Sequence, residues 1–230
     1  MAKALAHCAA GRGRYGSPAL LSYVSGLLAK EPPAFKRIRL TTTAKGLPPI
    51  SIGPDEGKLL EVLVRLCGAK KAVEVGTLAG YSACWIASAL AKGGRLHTLE
   101  YDAKHAAVAR ENIKAAGLSG EVTVHLGPAL KTLPSLRGGG PYDFCFIDAD
   151  KAAYPAYLRW AILNVRPGGI VVGDNAYLFG KLHLAGAKAG ADAASAAAMR
   201  SFLKTMADPR YFSSCAMIPT GEGMAVAIRR

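Results

Sequence analysis

The chain has 230 residues, 51% of them hydrophobic and 20% charged, with a formal net charge of +13. That length and apolar content suit one globular domain with a sizeable core and exclude a disordered chain, and no uninterrupted apolar run reaches the roughly 18 residues of a membrane helix. The positive balance can attract nucleic acid, acidic lipid or an anionic substrate, or serve solubility alone.

In chain order, the basic, alanine-rich start "MAKALAHCAAGRGRYG" has its apolar stretch broken at His7 and is too short for a signal peptide, so it reads as a loose tail. Residues 1–50 hold eight Lys/Arg against one acid, Glu31. Residues 17–30 look helical, and the Pro- and Thr-rich stretch 31–53 reads as a loop. A helix is predicted over 55–67, with Leu59, Leu60, Leu63, Val64 and Leu66 on or near one face.

From residue 71 onward, strands alternate with helices. The segments 71–76, 95–100, 121–126, 142–148 and 168–174 are rich in β-branched and aromatic residues and bounded by Gly, Pro or Asp. Helical patterns fill 80–92, 102–117, 128–136 and 151–165. The second is the clearest: Asp102 can cap it, Ala106, Val108, Ala109, Ile113 and Ala116 give a mostly helical apolar period, and Gly117 closes it. Near-continuous apolar strands alternating with helices argue for an α/β fold whose parallel sheet is covered on both faces. The small-residue segment 183–194 reads as a lid or linker, 193–210 as a helix stopped by Pro209, and 212–230 as an antiparallel hairpin around a Gly-containing turn. No repeat of 20–50 residues is visible. The chain is therefore read as one domain, 1–230, with a tail, cap helix and loop over 1–53 and the α/β core over 54–230. Cys8, Cys67, Cys84, Cys145 and Cys215 form no C-x-x-C pair or zinc spacing. They read as small buried thiols, which suits a reducing cytoplasm.

Ligands of open α/β sheets bind beyond the carboxyl ends of the strands. The first strand runs into "EVGTLAGYS", where glycines permit a sharp turn and the next helix offers free N–H groups. The spacing of Gly76 and Gly80 is not G-x-G-x-x-G, which disfavours a nicotinamide dinucleotide. Glu100, about 24 residues on, ends the second strand and can accept from both ribose hydroxyls of an adenosine cofactor, or can be a helix-entry charge beside Asp102. The fourth strand ends on Asp148 and Asp150, the fifth on Asp174 and Asn175. If these strands are neighbours, roughly 5 Å apart, two carboxylates and an amide oxygen meet at one rim. That hard-oxygen set suits Mg²⁺ or Ca²⁺, although strand-end Asp and Asn also cap helices and turns. Asp150 can face the cofactor or cap the next helix. Lys151 can act as a general base beside a cation, which would favour loss of its proton, or can be a solvated helix-start residue. His97 and His125 alternate within strands and read as structural, and Ser82 lacks the G-x-S-x-G setting of a hydrolase nucleophile.

Taken together, "EVGTLAGYS", "LEYD", "GPAL", "FIDADK…Y…Y", "VRPGGIVVGDN" and "GEGMAVAIRR" resemble the cation-dependent S-adenosylmethionine O-methyltransferases, the group of caffeoyl-CoA O-methyltransferase and its bacterial relatives, with catechol O-methyltransferase more distant. The resemblance runs from about residue 50 to the C-terminus. It implies a Rossmann-like, seven-stranded sheet with one antiparallel strand. It also implies Glu74, Gly76, Thr77 and Ser82 around the methionine part of the cofactor, Glu100 on the ribose, Ala129 beside the adenine, and Asp148 and Asp150 close to the cofactor. Asp148, Asp174 and Asn175 would hold Mg²⁺ (or Mn²⁺ or Ca²⁺), and Lys151 matches the catalytic lysine. The implied acceptor is a small aromatic diol, and the implied assembly a homodimer. "DNAYLFGK" departs from the plant coenzyme A-type enzymes, which carry a tryptophan and then a polar residue there, and the N-terminal cap shows no clear match. In that family both regions shape the acceptor pocket. Two rivals remain at this stage: a tRNA methyltransferase of the same fold acting on a modified uridine, favoured by the basic first 50 residues, and a non-enzymatic binding module, disfavoured by the intact Asp148, Lys151, Asp174 and Asn175.

Overall fold

The alternating segments fold into eight α-helices and seven strands in the computed structural model, which describes residues 17–184 and 190–230. The N-terminal tail with Cys8, and residues 185–189 of the segment read as a lid or linker, lie outside the described residues. Three helices come first: α1 (Pro18–Leu28), α2 (Pro33–Ala44) and α3 (Pro54–Leu66). Then follow β1 (Lys71–Val75), α4 (Tyr81–Ala89), β2 (Arg95–Glu100), α5 (Ala103–Ala115) and β3 (Val122–Leu126). The short α6 (Ala129–Thr132) leads through a 3₁₀ stretch to β4 (Tyr142–Ile147); another 3₁₀ turn, Lys151–Ala153, opens α7 (Tyr154–Asn164). The chain finishes with β5 (Val165–Gly173), α8 (Ala193–Met206), β6 (Phe212–Ile218) and β7 (Met224–Arg229).

The sheet order is β3-β2-β1-β4-β5-β7-β6. Only β7 runs against its neighbours, pairing antiparallel with β5 and β6. The chain winds outward from β1 to β3 and then returns to β4 on the other side of β1, so the strand order reverses at the β1/β4 seam, where such sheets open a ligand crevice. Alternation along the central strands feeds two cores. Phe144 and Phe146 of β4 pack with Trp85, Ile86, Leu60 and Val64 under α3 and α4. Cys145 and Ile147 point the other way, into Tyr154, Leu158, Met199 and Phe202 under α7 and α8. Each such large apolar side chain contributes about 1.5–3 kcal/mol on burial.

Several local expectations need correction. The stretch 31–53 is not all loop, because it contains α2. Pro33 sits at the first helical turn, where its missing N–H costs nothing. The Thr41 and Thr42 hydroxyls bond back to the Arg37 and Ile38 carbonyls at 2.9 and 2.8 Å, and Phe35, Ile38 and Thr42 bury one face. Leu66 belongs to no buried face of α3 and is 75% exposed. Cys84 and Cys145 are buried, but Cys67 is only partly so and Cys215 is exposed, since β6 is an edge strand. Among the described residues no helix is long and apolar enough to cross a membrane.

Candidate active site

Strand register brings the site together. Val75 of β1 stands opposite Ile147 of β4, which stands opposite Gly173 of β5. The next residues, Gly76, Asp148 and Asp174, therefore lie side by side at one rim. Asp148 N–H donates to the Val75 carbonyl at 2.8 Å, and Asp174 N–H to the Ile147 carbonyl at 3.0 Å. Gly76 has φ 99° and packs so closely on β4 that a methyl group there would overlap the Asp148 carbonyl. A cavity of about 960 Å³ opens over this rim.

On the β2 side, Glu100 organises the loop after β1. Its Oε2 accepts from the Thr77 and Leu78 amides at 3.2 and 2.8 Å, and its Oε1 from the Asp102 amide at 2.9 Å. Leu78 is held in the left-handed region, φ 49°, by this arrangement. The carboxylate thus braces the loop and still presents lone pairs to the cavity, where two vicinal hydroxyls can reach it. Gly127 N–H donates to the Glu100 carbonyl at 2.8 Å, which places Pro128, Ala129 and Leu130 on the adjoining cavity wall with Tyr101 and His105. Below the loop, Glu74 is fully buried. Thr98 Oγ1 donates to its Oε2 at 2.5 Å, while Oε1 has no hydrogen-bond partner among the described residues. Burial pushes the Glu74 carboxyl up to about 8, so it carries its proton near neutrality. Gly76, Thr77 and Ser82 line the cavity above it.

The β4/β5 side has a different character. Asp174 is 3% exposed, and its Oδ1 has no hydrogen-bond partner among the described residues. Burial, followed by repulsion from Asp148, raises its carboxyl to about 7. Asn175 follows with φ 50°, a left-handed turn that Asn tolerates better than most residues. Lys151 Nζ donates to Asp148 Oδ1 at 2.9 Å and to the Tyr154 hydroxyl at 2.8 Å. That hydroxyl in turn bonds the carbonyls of Ile147 and Asp174 at 3.1 and 3.0 Å.

Of the residues assigned from sequence to the cofactor, the metal or catalysis, all except fully buried Glu74 line this cavity. The two readings of Asp150 are both partly met. It faces the cavity, and its Oδ1 caps the 3₁₀ turn by accepting from Ala153 N–H at 3.1 Å. Asp102 caps α5 as expected, accepting from His105 N–H at 2.9 Å. His97 and His125 bond each other at 3.0 Å, away from the cavity. The sequence reading gave no role to Tyr154 or Tyr157, the second of which donates to Asp150 Oδ2 at 2.6 Å. A usable signal existed: Lys151, Tyr154 and Tyr157 are spaced by three, which stacks them on one helical face.

The rim suits a hard divalent cation chemically. It offers two close carboxylates, one with an orphaned buried oxygen, and a neighbouring amide. Among the described residues no three His, Cys, Asp or Glu side chains cluster as a metal site, and the Asn175 amide beside Asp174 can supply a third oxygen.

A family model described as O-methyltransferase matches residues 26–230. The chain belongs to the O-methyltransferase family. The catechol O-methyltransferase of Niastella koreensis is 49% identical over 162 residues, covering 70% of this chain and 73% of that protein. The catechol O-methyltransferase of Mycobacterium tuberculosis is 38% identical over 217 residues, covering 93% and 96%. Among solved structures, the O-methyltransferase of Bacillus cereus in complex with SAH superposes with a TM-score of 0.84 at 35% identity, over 92% of this chain and 97% of that one. The methyltransferase described here is accordingly an S-adenosylmethionine-dependent transferase, and the seven-stranded Rossmann-like sheet expected of it is present.

Proposed function

We propose that this methyltransferase transfers the methyl group of S-adenosylmethionine to one oxygen of a vicinal aromatic diol, and that it requires a divalent cation held by Asp148, Asp174 and Asn175. The observation that carries this reading is the unpartnered, buried Asp174 Oδ1, one strand away from Asp148 and in the same cavity as the Glu100 cradle. A buried carboxylate oxygen without a partner is costly, and a cation satisfies it.

In this reading Glu100 accepts from the two ribose hydroxyls, Ala129 lies against the adenine, and Gly76, Thr77 and Ser82 receive the methionine moiety, with Asp148 and Asp150 flanking it. Glu74, neutral and buried beneath, supports the loop through Thr98, which contacts Thr77 at 2.5 Å. A divalent cation held by Asp148, Asp174 and Asn175 would make the reacting hydroxyl more acidic. Lys151 Nζ is placed to take the proton of that hydroxyl, held on one side by Asp148 and on the other by Tyr154. The methyl donor arrives already activated, so the main work of the chain is orientation and exclusion of water.

The test is direct. Purified protein is incubated with S-adenosylmethionine, Mg²⁺ and 4-ethylcatechol, and methylated product is followed by mass spectrometry. Turnover that stops in excess chelator and returns with Mg²⁺ supports the reading, whereas undiminished turnover in chelator removes the cation from it.

A further inference from the structure

A strongly basic chain has an acidic cavity. Among the described residues, Glu56, Glu100, Asp148, Asp150, Asp174 and Glu222 line it against Lys151 and no arginine, although the chain carries a net +13. Four of these acids already have assigned tasks above. Glu56 and Glu222 do not.

Each of the two uses one oxygen locally. Gly53 N–H donates to Glu56 Oε2 at 2.8 Å, completing the start of α3, and Phe179 N–H donates to Glu222 Oε2 at 3.0 Å. Neither Oε1 bonds a described residue, and both residues line the cavity. Glu222 is also firmly mounted. The turn between β6 and β7 is stitched to the segment that follows Asn175: Ala176 N–H donates to the Gly223 carbonyl and Tyr177 N–H to the Glu222 carbonyl, both at 2.9 Å. Gly223, at φ 75°, admits the Tyr177 ring where a side chain would collide. Glu56 stands close enough to Asp174 to repel its charge. Ile50 and Ile52, just before Gly53, and Phe179, bonded to Glu222, supply apolar wall around this end.

We propose that Glu56 and Glu222 select the acceptor by the charge of the group it carries beyond the diol ring, admitting neutral and cationic tails and repelling carboxylates, phosphates and nucleotide esters. The proposal rests on the diol reading above and adds the discriminating residues. A partly enclosed, apolar-walled mouth screens such charges less than open water does, so each contact is worth about three- to tenfold in discrimination. One feature could compete for a long anionic tail. A second hollow, sharing Ser51 and Ile52 with the cavity, carries Lys36 and Arg39. Arg39 is already engaged by Glu31 through bonds of 2.8 and 2.6 Å, which leaves Lys36, among the described residues lining it, to meet an anion there.

The experiment compares kcat/KM for four acceptors with the full-length enzyme, S-adenosylmethionine and Mg²⁺: 4-(2-aminoethyl)catechol, 4-ethylcatechol, 3-(3,4-dihydroxyphenyl)propionate and caffeoyl-CoA. The expected result is at least tenfold preference for the ammonium over the propionate tail at low salt, narrowing in 0.5 M NaCl as charges are screened. Glu56→Gln and Glu222→Gln keep an oxygen for their amide partners, and each should narrow the preference about threefold. If Glu56→Gln melts early, Glu222→Gln alone decides. Equal rates on all tails, preference for the propionate or caffeoyl-CoA, or a preference untouched by the substitutions overturns the proposal while leaving the diol reading intact. Turnover of none of the four overturns the diol reading, and this proposal with it.

Discussion

At the Glu100 end of the cavity both carboxylate oxygens are engaged by backbone N–H groups, three in all. At the Asp174 end one carboxylate oxygen has no hydrogen-bond partner among the described residues, and two further acids, Glu56 and Glu222, each commit a single oxygen. The two ends share a cavity and a sheet but not a strategy. Where acids are satisfied by the backbone they shape a loop, and a ligand then uses lone pairs that remain. Where they are not, the fold leaves a buried carboxyl oxygen unsatisfied at a cost in stability, which, in the proposed reading, binding of a cation would relieve.

The sharpest way to break the comparison is Asp174→Ala. It should lower methyl transfer at least a hundredfold, while S-adenosylmethionine affinity measured by calorimetry changes less than threefold; an equal loss of both would merge the two ends. Lys151→Ala should lower kcat by about 10²–10⁴-fold, the usual size of a proton-transfer contribution, with little change in cofactor affinity. Glu100→Ala attacks the other end. It should weaken cofactor binding by about tenfold or more and also lower stability by about 1–3 kcal/mol, because three amides lose their acceptor. Calorimetry and urea unfolding measure the two effects separately.

Glu74 gives a pH test. Its folded carboxyl is raised to about 8, whereas the unfolded one titrates near 4.5. The folded state thus holds the extra proton, so the Glu74 contribution is fully present below pH 4.5 and is lost as pH rises toward 8, at up to about 1.4 kcal/mol per pH unit. Glu74→Gln should flatten that fall, seen as urea midpoints of wild type and variant diverging between pH 6 and pH 8. The smallest effect is expected from Tyr157→Phe, which removes only the 2.6 Å bond to Asp150. It should cost about 1 kcal/mol of stability and raise the cofactor Kd no more than fivefold.

Much of the cofactor end was legible because it is local in sequence. Gly76, Thr77 and Ser82 share one loop, and Glu100 ends the next strand. The meeting of Asp148 with Asp174 was legible only conditionally, since adjacency of β4 and β5 is a tertiary fact, and the register Ile147–Gly173 settles it. Glu56 and Glu222 were given no role, although Glu222 lies within the quoted "GEGMAVAIRR". They come from the start of α3 and from a hairpin turn, and nothing in either stretch announces a shared cavity. The helix α2 was misread because Pro32 and Pro33 look like breakers and its three threonines favour other structure, while the burial of Phe35 and Ile38 overrides both. The exposed thiol of Cys215 was misread for a similar reason: a strand pattern does not say whether the strand lies at an edge.

The Tyr154 hydroxyl grips the carbonyls of Ile147 and Asp174 and accepts a hydrogen bond from Lys151 Nζ. One phenol therefore works as a caliper, fixing how far apart the fourth and fifth strands hold their terminal acids before anything binds. In the proposed reading, ions of different radius would meet a gap set by the architecture and not by their own pull. A small, strongly hydrated ion and a larger, more adaptable one should be told apart less well once that clamp is gone, so Tyr154→Phe should widen the range of metals that sustain turnover while slowing it with every one of them.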